Sequence, residues 1–183
     1  MSRAQPSPKN GLSHIGQPKS ATAKRPCATL TRRMSDDECI FCTILADKAP
    51  ATFVYRDAHC AALMDIRPVT RGHVVIVPMT HAPSLAKLDA EQAAHLMRVA
   101  HVIAAAQKKS GLRAEGVTLL LTDGVAAGQE VFHTHLHVFP RYRLDGFGLS
   151  FGPDYAIRPR TELETAAHAL RPHIPSIVAK PSA

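Results

Sequence analysis

Three histidines stand at alternate positions, His133, His135 and His137, within the stretch GQEVFHTHLHVFPR over residues 128–141. Far upstream lies a second chemically suggestive pair, Cys39-x-x-Cys42. An imidazole binds metal, moves a proton or attacks an electrophile. Two cysteines at this spacing ligate a metal or cycle as a dithiol. The alternation predicts a strand, because positions i, i+2 and i+4 of a strand share one face. Thr134, Leu136 and Val138 would then face a core. Periodicity alone does not say why one face carries three imidazoles.

Two chemistries compete for them. In the first, Cys39 and Cys42 supply half of a tetrahedral zinc site, and His81 and His133 are candidates for the other half. Two buried cysteines or a redox dithiol would explain the same spacing, and three alternating histidines are themselves able to bind a metal facially. A closed Cys2His2 site would use one member of the trio and leave two. In the second chemistry, a neutral imidazole with a pKa near 6.5 attacks phosphorus and forms a phosphoramidate that water cleaves. Donors must then neutralise charge on the phosphoryl oxygens. The small, glycine-containing loop Asp123–Gln129 runs straight into the histidine strand. Its backbone N–H groups are candidates to cradle phosphate.

The elements that must position these residues are legible from Cys39 onward. Strand-like runs fall at Phe53–Tyr55, Cys60–Met64, His73–Val77, Val117–Thr122 and Val131–Phe139, separated by turn signals. One long helix fits Ala90–Lys109, with Asp89 as N-cap, Gln92 at N3 and Gly111 as the stop. Its apolar stripe is Leu96, Val99, Ala100 and Ile103. A last helix is expected from Thr161, capped with Glu164, to just before Pro172. Hairpin-linked strands with few helices predict an α+β domain built on a mainly antiparallel, five-stranded sheet. Cys60 reads as core, and His59, His95, His101, His168 and His173 lack motif context. Arg141 and Arg143 read as solvated edge residues within reach of phosphate.

Charge narrows the function classes. The 183-residue chain has a formal net charge of +7, but residues 1–35 hold seven Lys or Arg and no Asp or Glu. The remaining 15 basic and 15 acidic residues balance. A neutral domain offers no compositional case for nucleic-acid binding. Residues 1–35, rich in Ser, Pro, Ala and Lys/Arg, read as a disordered basic tail, with Met34 as an alternative start. Their prolines and lack of amphipathic pattern fit a transit peptide less well. The domain is expected over 36–175, with a flexible tail over 176–183. No run is long and apolar enough for a membrane span, and no secretory signal is seen, so a cytoplasmic setting is expected.

The segment His133-Thr134-His135-Leu136-His137-Val138-Phe139 resembles the signature of the histidine triad family of nucleotide hydrolases and transferases, with Thr134 at a position that is usually apolar. Three blocks extend the resemblance across residues 39 to 150: Cys39-Ile40-Phe41-Cys42, Asp65-Ile66-Arg67-Pro68 followed by Gly72 to Pro78, and Gly128-Gln129. Asp145-Gly146-Phe147-Gly148 looks like the bacterial, zinc-bearing branch.

The resemblance implies that His135 is the nucleophile at a nucleotide α-phosphate and that His137 contacts the phosphate. His73 lines the same pocket, Asp65 and Ile66 hold ribose and base, and Gly128 and Gln129 lie near the phosphate. It implies a structural zinc on Cys39, Cys42, His81 and His133, no catalytic metal, and a homodimer. The activity implied is hydrolysis of a phosphoramidate or dinucleoside polyphosphate of a purine nucleotide. A phosphorylase or nucleotidyltransferase in the same pocket, a nucleotide-binding regulatory module with little turnover, and a redox role for Cys39 and Cys42 are the alternatives. Two further departures from the pattern bear on the leaving group: Glu130 stands where many members carry a hydroxyl, and a carboxylate cannot donate to a leaving group, and Thr122-Asp123 stands where some members carry Asn.

Overall fold

The computed structural model describes residues 39–174. The basic tail expected over 1–35 and the C-terminal tail expected over 176–183 lie outside the described residues. The elements in chain order are helix α1 (Ile40–Leu45), strands β1 (Phe53–Arg56), β2 (Cys60–Met64) and β3 (Val74–Pro78), and helix α2 (Ala90–Lys109). Strands β4 (Gly116–Leu120) and β5 (Leu136–Arg141) and helix α3 (Arg160–Leu170) complete them. The strands form one antiparallel sheet in the order β1-β2-β3-β5-β4. The expected α+β architecture with a five-stranded antiparallel sheet is the one observed.

Both faces of the sheet are covered, which is why β3 is apolar and buried at every position. Along β2, β3 and β5 alternate side chains go to opposite sides. Cys60, Ala62, Val74, Ile76, Leu136 and Val138 meet Leu96, Val99 and Ala100 of α2. Ala61, Leu63, Val75 and Val77 meet Ile44 and Leu45 of α1. Burying a Leu or Val of this kind is worth roughly 1.5–3 kcal/mol. Helix α2 has the predicted bounds. Asp89 accepts from the Glu91 and Gln92 N–H groups, as a cap should, and Gly111 follows the helix at φ 74°. Gln92 does not close the capping box; its amide donates to Thr80 Oγ1 at 2.9 Å. No helix among the described residues is long and apolar enough to cross a membrane.

Two expectations are corrected. The histidine strand does not begin at Val131. Its ladder begins at Leu136, paired with Ile76, so of the three histidines only His137 sits in the sheet, opposite Val75. The reason is a competing set of hydrogen bonds: the Thr134 N–H and Oγ1 both donate to the Ala82 carbonyl, at 2.6 and 2.9 Å. That ties residues 133–135 to the segment after β3 instead of to a neighbouring strand. Thr134, Leu136 and Val138 are nonetheless buried, as the alternation required. The last helix starts at Arg160 with Pro159 as its N-cap, and Thr161 makes no cap. Proline fixes φ near the value a helix entry needs and brings no N–H to satisfy. Glu164 instead faces Arg160 and Arg171 at 3.5 and 3.1 Å.

Candidate active site and metal centre

The metal-centre residues come from three separated segments. Helix α1 starts right after Cys39, so one helical turn places the Cys39 and Cys42 thiols on one side. His81 follows β3, and His133 is held just before β5 by the Thr134–Ala82 bonds. Cys39 Sγ lies 3.4 Å from His133 Nδ1, and Cys42 Sγ lies 3.3 Å from His81 Nδ1 and 3.6 Å from His133 Nδ1. All four donor atoms fall within 4.8 Å of one another. A tetrahedron with Zn–N and Zn–S bonds of about 2.0–2.3 Å has edges of roughly 3.3–3.8 Å. The donor set and its spacing therefore fit zinc. The Nε2–H of His133 donates to the Pro78 carbonyl at 3.0 Å, which leaves the Nδ1 lone pair aimed at the thiols.

The same logic fixes the tautomers of the other triad members. The His135 Nδ1–H donates to the His133 carbonyl at 2.7 Å, so Nε2 carries the lone pair. The Phe41 ring packs on this imidazole at 5.3 Å and on that of His133 at 5.7 Å. A backbone relay sets His137. The Val69 N–H donates to His73 Nδ1 at 3.2 Å, which puts the His73 proton on Nε2. That N–H in turn donates to His137 Nδ1 at 2.9 Å, which puts the His137 proton on Nε2. One imidazole thus presents a lone pair and its neighbour an N–H donor. The Oδ1 of Asp65 accepts from the Arg67 N–H, and its Oδ2 lies 3.6 Å from His73 Nε2 and 3.8 Å from His137 Nδ1.

These side chains open onto a cleft of about 610 Å³ on the α1 side of the sheet. Asp65, Ile66, His73, Gly128, His135 and His137 line it, with Phe41, Leu63 and Val75 as an apolar wall. A volume in this range suits a small organic ligand. Gln129 is not brought into the wall. Its buried amide accepts from the Gly124 N–H at 2.7 Å and donates to the Pro83 and Val131 carbonyls, each at 3.0 Å. The loop is likewise less of a phosphate cradle than its composition suggested. It folds as a 3-10 turn over Val125–Ala127, and the N–H groups of Gly124, Ala127, Gly128 and Gln129 all have partners within the loop.

Residues 46–144 match the family model described as the HIT domain. The chain belongs to the histidine triad (HIT) family. This HIT protein is 39% identical over 116 residues to an uncharacterized HIT-like protein of Borreliella burgdorferi, a match covering 63% of this chain and 84% of the relative. It is 34% identical over 110 residues to adenylylsulfatase HINT3 of Arabidopsis thaliana, covering 60% of this chain and 55% of the relative. Among solved structures, a HIT family protein from Bacillus anthracis superposes with a TM-score of 0.70 at 35% identity, covering 76% of this chain and 99% of that one. A Zn-bound histidine triad family protein from Mycobacterium smegmatis superposes with a TM-score of 0.60 at 38% identity, covering 76% and 100%.

The electrostatics of the HIT cleft keep two of its histidines uncharged. Burial lowers the pKa of His73, and Asp65 opposes the shift. Burial lowers that of His137 to about 4, helped by the positive charge His135 and His73 would carry and again opposed by Asp65. Both are therefore neutral at pH 7, as the relay requires. The sign of the stability effect follows. Below pH 6.5 the unfolded chain binds protons at these two positions that the folded chain refuses, so stability falls as pH drops from 6.5 toward 4. His137 contributes up to about 1.4 kcal/mol per pH unit in that window, and His73 acts in the same direction. His137→Asn is expected to flatten the decline, read as Tm against pH. An unchanged slope would contradict the assignment.

Two residues make contacts that no sequence pattern indicated. Phe41, quoted only as part of a motif block, packs against both His133 of the quartet and His135. Arg141 is not a solvated edge residue: it holds both carboxylate oxygens of Asp145, along with Thr118 Oγ1 and the Phe147 carbonyl. The Asp145-Gly146-Phe147-Gly148 segment, which looks like the bacterial branch, is thus tied to the end of β5 through Arg141.

Proposed function

We propose that this HIT protein is a nucleotide hydrolase that acts at the α-phosphate of a purine nucleotide through a nucleotidyl-His135 intermediate. The observation that carries the reading is the His135 Nδ1–H bond to the His133 carbonyl, which presents the Nε2 lone pair beside the His137 N–H donor in the cleft. Nε2 forms the new N–P bond while the bond from phosphorus to the leaving group breaks. The leaving group departs with that electron pair and takes a proton from water. A second water then attacks phosphorus, releases the nucleoside monophosphate and restores the imidazole. The Nε2–H of His137 stabilises charge on a phosphoryl oxygen. Asp65 suits the ribose hydroxyls, and Ile66 and Phe41 suit the faces of a base.

Cys39, Cys42, His81 and His133 would hold a structural zinc in this reading, and the bound ion would cross-link α1, the segment after β3 and the segment before β5. The plant relative named as an adenylylsulfatase supports chemistry at an adenylyl phosphate. A homodimer and a cytoplasmic location belong to the same reading. Strand β4 lies at an open sheet edge, and Met97 and Val102 of α2 are exposed apolar residues that a second copy would cover.

The test is product analysis by 31P NMR with an adenosine 5′-phosphoramidate, a dinucleoside polyphosphate and an adenylylated sulfate, each with and without inorganic phosphate. AMP as product in every case supports hydrolysis. Formation of ADP when phosphate is added would move the reading to a phosphorylase. Binding without turnover would move it to a regulatory module.

A further inference from the structure

A contact between two segments distant in sequence lies in the wall of the cleft. Arg67, in the turn between β2 and β3, places Nη2 3.2 Å from Glu130 Oε2, in the segment that leads from the glycine loop to the triad. Both residues line the same cleft as His135 and His137. Arg67 is the one Lys or Arg among the described residues that line it, whereas two carboxylates, Asp65 and Glu130, do so. A site built to expel a polyphosphate needs cations aimed at the departing oxygens. Here the cation of the wall is already occupied by Glu130, and the glycine loop has turned much of its N–H supply inward.

We propose that Glu130, by engaging Arg67, makes this site select nucleotides whose leaving group is a neutral or cationic amine over nucleotides whose leaving group is a polyphosphate. The inference rests on the nucleotidyl-His135 reading and names the substrate class within it. For the favoured class, the His135 Nε2–P bond forms as the P–N bond to the amine breaks. The amine leaves with the electron pair of that bond and takes a proton from water. A cationic group elsewhere on that amine is attracted to Asp65 and Glu130. A polyphosphate in the same place meets both carboxylates and a guanidinium that is already neutralised.

The pair is 82% and 78% exposed at its side chains, so substitution there leaves the core intact and the effect depends on ionic strength. The measurement is the ratio of kcat/KM for an AMP–ethylenediamine phosphoramidate to that for diadenosine tetraphosphate. In low salt, Glu130→Gln is expected to lower this ratio about five- to tenfold by freeing Arg67 for the anionic leaving group, with a smaller effect at roughly 0.5 M salt. The double variant R67A/E130Q is expected to return the ratio to within about twofold of the original protein, since it removes the freed cation. A Glu130→Gln ratio within twofold of the original in low salt would overturn the proposal. So would a double variant that keeps the whole drop.

Binding gives a readout independent of turnover. Glu130→Gln should raise affinity for ATP relative to AMP by a similar factor, and an unchanged relative affinity would overturn the proposal. If the original protein cleaves neither substrate, the hydrolase reading fails, while the ATP-to-AMP comparison still decides the role of the Arg67–Glu130 pair.

Discussion

Replacing His135 with alanine is expected to lower kcat by at least about 10⁴-fold while the Kd for AMP stays within about fivefold. Loss of a covalent nucleophile removes the step itself, not a contact in the ground state, so binding and turnover should separate. The geometry also says why a neighbour cannot take over. The Nδ1 lone pair of His137 is held by the His73 N–H, and its Nε2 carries the proton. His133 directs Nδ1 at the two thiols and Nε2–H at the Pro78 carbonyl. His135 alone of the three has a lone pair turned to the cleft. Single-turnover kinetics together with calorimetry of AMP binding provide the check. Near-normal turnover in the variant would remove the mechanism.

Removing the metal centre should have the second large effect. Elemental analysis of the purified protein is expected to find about one zinc per chain. Cys42→Ser should abolish that content and lower Tm by about 10 °C or more. A loss of roughly 4 kcal/mol in a domain of this size gives a shift of that order, and structural zinc can contribute more. Activity should fall in parallel, for a geometric reason. The carbonyl that orients the His135 ring belongs to His133, whose own ring is one of the four donors. A centre that loosens would therefore release the His135 tautomer along with the fold. A protein without zinc whose Cys39 and Cys42 cycle between dithiol and disulfide, with Tm unmoved by Cys42→Ser, would contradict the assignment.

What could be read in advance follows the range of the interactions involved. Helix α2 was legible to its end residues because its cap, stripe and stop are local. The burial of Thr134, Leu136 and Val138 was legible because alternation is local too. The convergence of Cys39, Cys42, His81 and His133 was anticipated by donor chemistry and by family resemblance, and the fold brings those atoms together. The start of β5 was not legible: it is set by Ala82, some fifty residues from Thr134 in sequence. The inward turn of the Gln129 amide was hidden for the same reason, since Pro83 accepts from it. The Arg67–Glu130 contact joins residues 63 apart and gives no pattern in either segment. Glu130 stood out in sequence only as a departure from a hydroxyl, and its partner supplies the physical meaning.

The proposed mechanism requires a covalent adduct at one atom, Nε2 of His135. Acid-free rapid quench of the protein with an adenosine 5′-phosphoramidate, followed by proteolysis and mass spectrometry, should find an adenylyl group on the peptide containing residues 133–137. Fragmentation should place it on His135, and the adduct should vanish in His135→Ala. Turnover without any such adduct, or an adduct located on His133 or His137, would contradict the assignment of His135 as the nucleophile.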